Sequence, residues 1–403
     1  MILWKKTPFW EQRKLRSISK IVTGGTPKTT IKKYWAPEEI PWMSSGEINK
    51  KRLKDTDAKI SKIGFNNSSA KWVKTQSILI ALAGQGKTRG TVAINYIPLT
   101  TNQSIAAIEP NEEINAEYLY QNLNNRYDEL RLKSSGDGTR GGLNKKIISE
   151  LMIPIPELKE QLQIGLLLKT VDKDNDLHQR KLDRLKNLKK AYLQQMFPKK
   201  FHSVPKLRFK NFSKVWDQRK LSEITERVSG NDGRMSLPTL TISASSGWLD
   251  QRERFSGNIA GKEQKNYTLL SHGELSYNKG NSKIAQYGVV FVLNNYKEAL
   301  VPRVYHSFKV NEYSVPYFIQ YLFETKLPDR ELRKIISSGA RMDGLLNISY
   351  SDFIDINVSI PVVKEQSKIS SFLQKFNKNI NYHQRKINSL KELKNSYLQL
   401  LFI

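Results

Sequence analysis

From Ile164 onward, apolar and seam positions step alternately by four and three residues: Ile164, Leu168, Val171, Asn175, His178, Leu182, Leu185, Lys189, Tyr192 and Met196. The same stepping runs through Ile369, Leu373, Phe376, Ile380, His383, Ile387, Leu390, Lys394, Tyr397 and Leu401. A four–three alternation held this long is a heptad seam, and it predicts two long amphipathic helices that each need a partner face. At ~1.5 Å per residue each would be about 60 Å long. Asn175, His178 and His383 interrupt the seam as register-setting polar residues. Pro156 and Pro361 suit a helical first turn, where a missing N–H costs nothing, and Glu160 and Glu365 suit its positive end. Pro198 should stop the first helix, with an irregular linker after it.

A different period rules elsewhere. Short runs rich in Ile, Val, Thr and Tyr, such as "SILIAL", "TVAINYI", "TLTIS", "GVVFVL" and "VYHSFKV", are divided by Gly, Asn and Ser turns and read as strands. "NAEYLYQNLNNRYDELRLK" and "SVPYFIQYLFETKLPDRELRKIIS" read as helices that follow them. Each globular region is therefore predicted to be α+β.

These patterns occur twice. Ile153–Phe197 aligns with Val358–Phe402 without a gap, and roughly twenty of about forty-five positions are identical. Lys159-Glu160-Gln161 answers Lys364-Glu365-Gln366, and His178-Gln179-Arg180-Lys181 answers His383-Gln384-Arg385-Lys386. "WEQRKL" at Trp10 recurs as "WDQRKL" at Trp216, and "SSG" at Ser134 recurs at Ser337. Duplication predicts two globular regions, 1–155 and 215–360, two long helices, 156–197 and 361–403, and a linker at 198–214. The expected fold is α+β, with a pseudo-twofold internal duplication and an antiparallel two-helix coiled coil separating the two globular domains. The seam is assigned to Ile164, Leu168, Val171, His178, Leu182, Leu185, Ile369, Leu373, Phe376, Ile380, His383, Ile387 and Leu390.

Charge narrows the partner. Among 403 residues, 66 Lys and Arg face 38 Asp and Glu, a net +28, which self-repels and favours a polyanion such as nucleic acid. No cysteine is present, so disulfides and thiolate metal sites are excluded, and the five histidines show no metal-ligand spacing. No apolar run approaches the ~20 residues of a membrane span, and the N-terminal stretch lacks a signal-peptide core, so a cytoplasmic location is expected.

"ALAGQGKT" (Ala81 to Thr88) fits a relaxed phosphate-loop pattern. Such a loop must open a helix, whose N-terminal N–H groups bind phosphate. Here "RGTVAIN" follows, with Gly90 and β-branched residues, so the chain is expected to re-enter a strand and the loop to be a hairpin tip. A tip offering Gln85, Lys87, Thr88 and Arg89 suits phosphates and base edges. The second half offers Asn278, Lys279, Asn281, Ser282 and Lys283 at the matching place. Trp42, Ser44 and Ser45 in the first half, and Ser243, Ser245, Ser246 and Trp248 in the second, are further DNA-contact candidates, although both tryptophans suit a core equally. Arg140 and Arg341, in loops near the helix junctions, suit a phosphate backbone. No G-x-S-x-G, H-E-x-x-H, dinucleotide fingerprint or adenine-methyltransferase tetrapeptide occurs, so no catalytic residue and no metal ligand is assigned.

Three features together resemble the DNA-specificity subunit of type I restriction–modification systems. They are "GGTPKT…YW…IPW" (Gly24 to Trp42), "TNQS" (Thr101 to Ser104), and "LNKKIISELMIPIPELKEQ" (Leu143 to Gln161), the last echoed at Leu346 to Gln366. One departure is Ser359, which stands where the first junction has Pro154. The resemblance implies a non-catalytic bacterial subunit with two target-recognition domains, each reading half of a bipartite, asymmetric site in double-stranded DNA. Its helices would dock two modification subunits that methylate adenine, with motor–nuclease restriction subunits added. S-adenosylmethionine, ATP and Mg²⁺ would belong to those partners, and none to this chain. A phosphate-loop NTPase and a basic coiled-coil scaffold are the alternatives that the residues leave open.

Overall fold

A computed structural model describes residues 10–84, 88–133, 142–199, 202–255, 261–280, 282–336 and 345–402. The chain divides into two compact units, residues 1–179 with 385–403, and residues 180–384.

The two long helices are Leu158–Met196 and Val363–Leu401, 39 residues each. The division cuts both of them near mid-length, so each unit owns the N-terminal half of one helix and the C-terminal half of the other. In the first unit Ile164 and Leu168 share a core with Leu398 and Leu401, and Asp172 meets Lys394. As one number rises the other falls, so the two segments run antiparallel. In the second unit Tyr192 stacks edge-on against Phe372, and Met196 and Phe197 join Ile369 and Leu373 in one core, again antiparallel. Seam positions Ile164, Leu168, Val171, Leu182, Ile369, Leu373, Ile387 and Leu390 are buried. His178, Leu185, Phe376, Ile380 and His383 are half-buried. The period of the apolar positions is thus the period of burial.

The helix starts differ from expectation in one respect. Gln161 N–H bonds the carbonyl of Glu157, and Gln366 N–H that of Val362, so Pro156 and Pro361 lie just outside the first turn. The reason is visible in the carbonyls of both prolines. Each accepts the carboxamide N–H of the glutamine five residues on, at 2.9 Å from Gln161 and 2.8 Å from Gln366. These glutamines are fully buried and also latch the loop before the preceding helix. Gln161 accepts from Asn115 N–H (2.8 Å) and donates to the Glu113 carbonyl (3.1 Å). Gln366 accepts from Val315 N–H (3.0 Å) and donates to the Tyr313 carbonyl (3.0 Å).

The two units share a clasp, four central-sheet strands in the same order, and the helices that follow them. A clasp comes first: Glu11–Lys14 pairs antiparallel with Met152–Ile155, and Asp217–Lys220 with Asn357–Ile360. The repeated "QRKL" is this clasp, and Pro154 and Ser359 occupy the same register opposite Gln12 and Gln218. A proline is tolerated there because a two-stranded pair is all edge.

The central sheet of the first unit runs in the order Ser19–Thr23, Ile105–Pro110, Ile78–Ala81, Val92–Asn95 and Arg52–Leu53. That of the second runs Thr225–Val228, His306–Val310, Leu275–Asn278 and Val289–Val292. One face of each sheet packs on a short helix, Ala116–Asn125 or Pro316–Glu324, and then on the long helices. The other face holds a smaller core, built around Met43, Ile48 and Leu79 in the first unit and Leu240, Leu270 and Val301 in the second. Among the described residues no helix is long and apolar enough to cross a membrane.

Candidate nucleic-acid interface

The loop after Ile78–Ala81 is a hairpin. Ala81 N–H bonds the carbonyl of Thr91, Gly90 N–H that of Ala81, and Thr91 N–H that of Thr88. Val92–Asn95 then pairs antiparallel with Ile78–Ala81. Gly90 takes φ 82°, a conformation that glycine adopts without strain. Thr88 leads into a turn and a strand, so the helix N-terminus that a phosphate loop requires is missing there, and the NTPase alternative loses its structural basis. Gln85 and Lys87 lie outside the described residues, as do Arg140, Asn281 and Arg341. Thr88 and Arg89 are half-buried at the tip.

Around this tip the structure gathers segments far apart in sequence. Leu82 N–H bonds the carbonyl of Ser104 (2.8 Å), and Asn102 N–H that of Met43 (3.0 Å). The Thr26 hydroxyl donates to Gln103 Oε1 at 2.6 Å. Gly24 and Gly25 run so close to the next strand that a Cβ on Gly24 would sit 1.9 Å from the Thr101 carbonyl oxygen. Ser44 and Ser45, half-buried, open a short helical turn in which Ser44 N–H donates to the Glu47 carboxylate (3.1 Å). The result is a polar shelf of Thr26, Ser44, Ser45, Gln103 and Ser104 beside the hairpin tip. Trp42 belongs beneath it. Its ring is 8% exposed, packs edge-on against Trp35 at 5.0 Å, and donates its indole N–H to the Gly25 carbonyl (3.0 Å). Of the two roles open to Trp42, the core role is the one its burial fits.

The second unit builds its rim from other side chains. Leu275–Asn278 and Val289–Val292 form the matching hairpin. Asn278 accepts from Gly280 N–H (3.0 Å) and donates to the Ile242 carbonyl (3.1 Å), fixing the tip to the turn at Ser243, Ser245 and Ser246. The three serine hydroxyls form a chain, 3.1 and 3.3 Å apart. Trp248 is half-buried and donates its indole N–H to the Val292 carbonyl (3.0 Å), so its polar edge also turns inward. Lys279 points its ammonium at the Ile348 carbonyl (3.0 Å), and Ser282 and Lys283 are exposed. His306 bonds the same carbonyl at 3.0 Å and stacks on Tyr277. Burial, with Lys279 and Arg227 nearby, holds the His306 ring down at about 4.

Residues 9–187 match the model of the type I restriction modification DNA specificity domain. The chain is 25% identical to the MjaIX type I restriction enzyme specificity subunit of Methanocaldococcus jannaschii, over 97% of this chain and 92% of that one. It is 28% identical to the EcoR124I/EcoR124II specificity subunit of Escherichia coli over 40% of this chain and 41% of that one. The fold matches the crystal structure of a type I restriction–modification S subunit from M. genitalium, with a TM-score of 0.65 at 12% identity over 98% of this chain and 97% of that one.

Along nearly its whole length the chain is similar to type I specificity subunits, and its first half matches their DNA specificity domain. Two structural features of the chain escaped single-residue reading. One is the Thr26–Gln103 pair, whose members stand 77 residues apart. The other is the buried glutamine latch, for which the repeated Glu-Gln was the signal.

Proposed function

We propose that each unit reads one half of a bipartite, asymmetric site in double-stranded DNA, and that the long helices dock two adenine methyltransferase subunits. The observation that carries this reading is the duplication itself. Two hairpin tips occupy matching positions in two sheets of matching order, yet they are rimmed by different side chains. Matching frames give two equivalent approaches to DNA, and different rims give two different half-sites. S-adenosylmethionine, ATP and Mg²⁺ then belong to the partner subunits, with restriction subunits joining for cleavage.

Co-expression with the partner methyltransferase followed by single-molecule methylome sequencing tests the proposal. The expected result is one motif of two short specified blocks around an unspecified spacer. Inserting seven residues into both helices, at 179/180 and 384/385, should change the spacer and leave both blocks intact. A contiguous motif, or a spacer indifferent to the insertions, contradicts the proposal.

A further inference from the structure

We infer that Gln103 and Arg303 are equivalent base-reading positions, one in each unit, and that they read adenine and guanine respectively. The inference rests on the half-site reading above and adds residue-level specificity to it.

Sheet register establishes the equivalence. Ile108 pairs with Ile78 and Phe308 pairs with Leu275, the same strands in the two sheets, so position 103 corresponds to position 303. Both lie in a turn of identical closure, with Ile105 N–H on the Asn102 carbonyl (3.3 Å) and Tyr305 N–H on the Pro302 carbonyl (3.0 Å). Each turn is anchored beside its rim. The first is held through Leu82 N–H on the Ser104 carbonyl. The second is held through the buried Tyr305 hydroxyl, which accepts from Ile242 N–H (3.1 Å) one residue before Ser243.

At these matched points the side chains differ in kind. Gln103 is exposed, and Thr26 donates to one lone pair of its Oε1, which fixes the amide edge and leaves the second lone pair and the Nε2 hydrogens without a partner among the described residues. An acceptor beside a donor matches the N6–H and N7 edge of adenine in the major groove. Arg303 is exposed and makes no hydrogen bond or ion pair with the described residues. Its fork of donors matches O6 and N7 of guanine. A free arginine also suits a phosphate, but that contact would weaken binding evenly across sequences, whereas base reading is confined to one position.

The test is methylome sequencing of the complex carrying Gln103→Arg or Arg303→Gln, with Gln103→Ala and Arg303→Ala alongside. Gln103→Arg should shift one position of one half-site from A toward G, by roughly tenfold or more, with the other half unchanged. Arg303→Gln should shift one position of the other half from G toward A. Each alanine variant should relax only the position its partner variant shifts. Unchanged base preferences in all four variants, or an even loss of methylation without relaxation at any position, would overturn the inference while leaving the bipartite reading intact. A wild-type methylome without a bipartite motif would instead remove the half-site reading, and this inference with it.

Discussion

The two units fasten the same helix pair by unlike chemistry. In the first, Asp172 accepts from Lys394 (2.5 Å), Gln121 (2.8 Å) and Arg52 (3.2 Å), and Arg52 also grips Glu117 through both of its terminal nitrogens. In the second, the gapless repeat places Asn377 where Asp172 stands and Lys189 where Lys394 stands. Asn377 donates to the Tyr321 hydroxyl (2.9 Å), and Lys189 turns to Glu324 (2.6 Å). Burial works against the charge of Asp172, yet Lys394, Gln121 and Arg52 hold its carboxyl below the usual range. One junction is a partly buried ionic knot of four charged groups, and the other is mainly aromatic, with a single Lys189–Glu324 ion pair at its edge. The second is built around Tyr192, Phe372 and Phe376. The glutamine latch, by contrast, is the same in both. Duplication has therefore kept the groups that fix backbone geometry and let the side chains that fill the junction diverge.

Breaking the shared frame should have the largest effect. Gly24→Ala puts a methyl group into the Thr101 carbonyl, so a loss of about 4 kcal/mol or more is expected in chemical denaturation. Gly230, at the matching register, has φ +84° and open space around its Cβ direction, so Gly230→Ala should cost only about 1 kcal/mol of backbone strain. Next comes the junction itself. Asp172→Ala strands the partly buried Lys394 ammonium and removes one of the two carboxylates around Arg52, and should cost about 3 kcal/mol, whereas Asn377→Ala leaves one neutral hydroxyl without its partner and should cost about 1 kcal/mol. Equal losses at the two sites would erase the contrast drawn above.

The latch should behave alike in both units. Gln161→Ala and Gln366→Ala each leave a buried N–H and two carbonyls short of a partner, at about 2–3 kcal/mol apiece. A further effect is confined to the second unit and appears only on acidification. His306 sits at about 4 in the fold against 6.5 for a free imidazole, so the unfolded chain binds more protons between those values. The stability contributed by the neutral ring is full above about pH 6.5 and is lost as pH falls toward 4, by about 3 kcal/mol at most. His306→Phe should flatten that slope in pH-dependent denaturation.

Much of this was legible in the sequence. The heptad stepping gave the helices, the repeats gave the matching elements, and Gly90 with its β-branched neighbours gave the hairpin in place of a phosphate loop. What stayed hidden depends on long-range contacts. Trp42 turns inward because Gly25 and Trp35 meet it. Arg52, Glu117, Asp172 and Lys394 look like ordinary surface charges until folding brings the four together and largely covers them. Gln103 and Arg303 sit in turns, where periodicity carries no information and only strand register pairs them.

The claim beneath the whole account is that each unit reads its own half of the DNA site. Methylome sequencing of the complex with Thr88→Ala and Arg89→Ala combined at the first hairpin tip tests it most directly. The account predicts relaxed preference within one half-site, while the other half and the spacer stay as in the wild type. Relaxation of both halves together, or of neither, would contradict it.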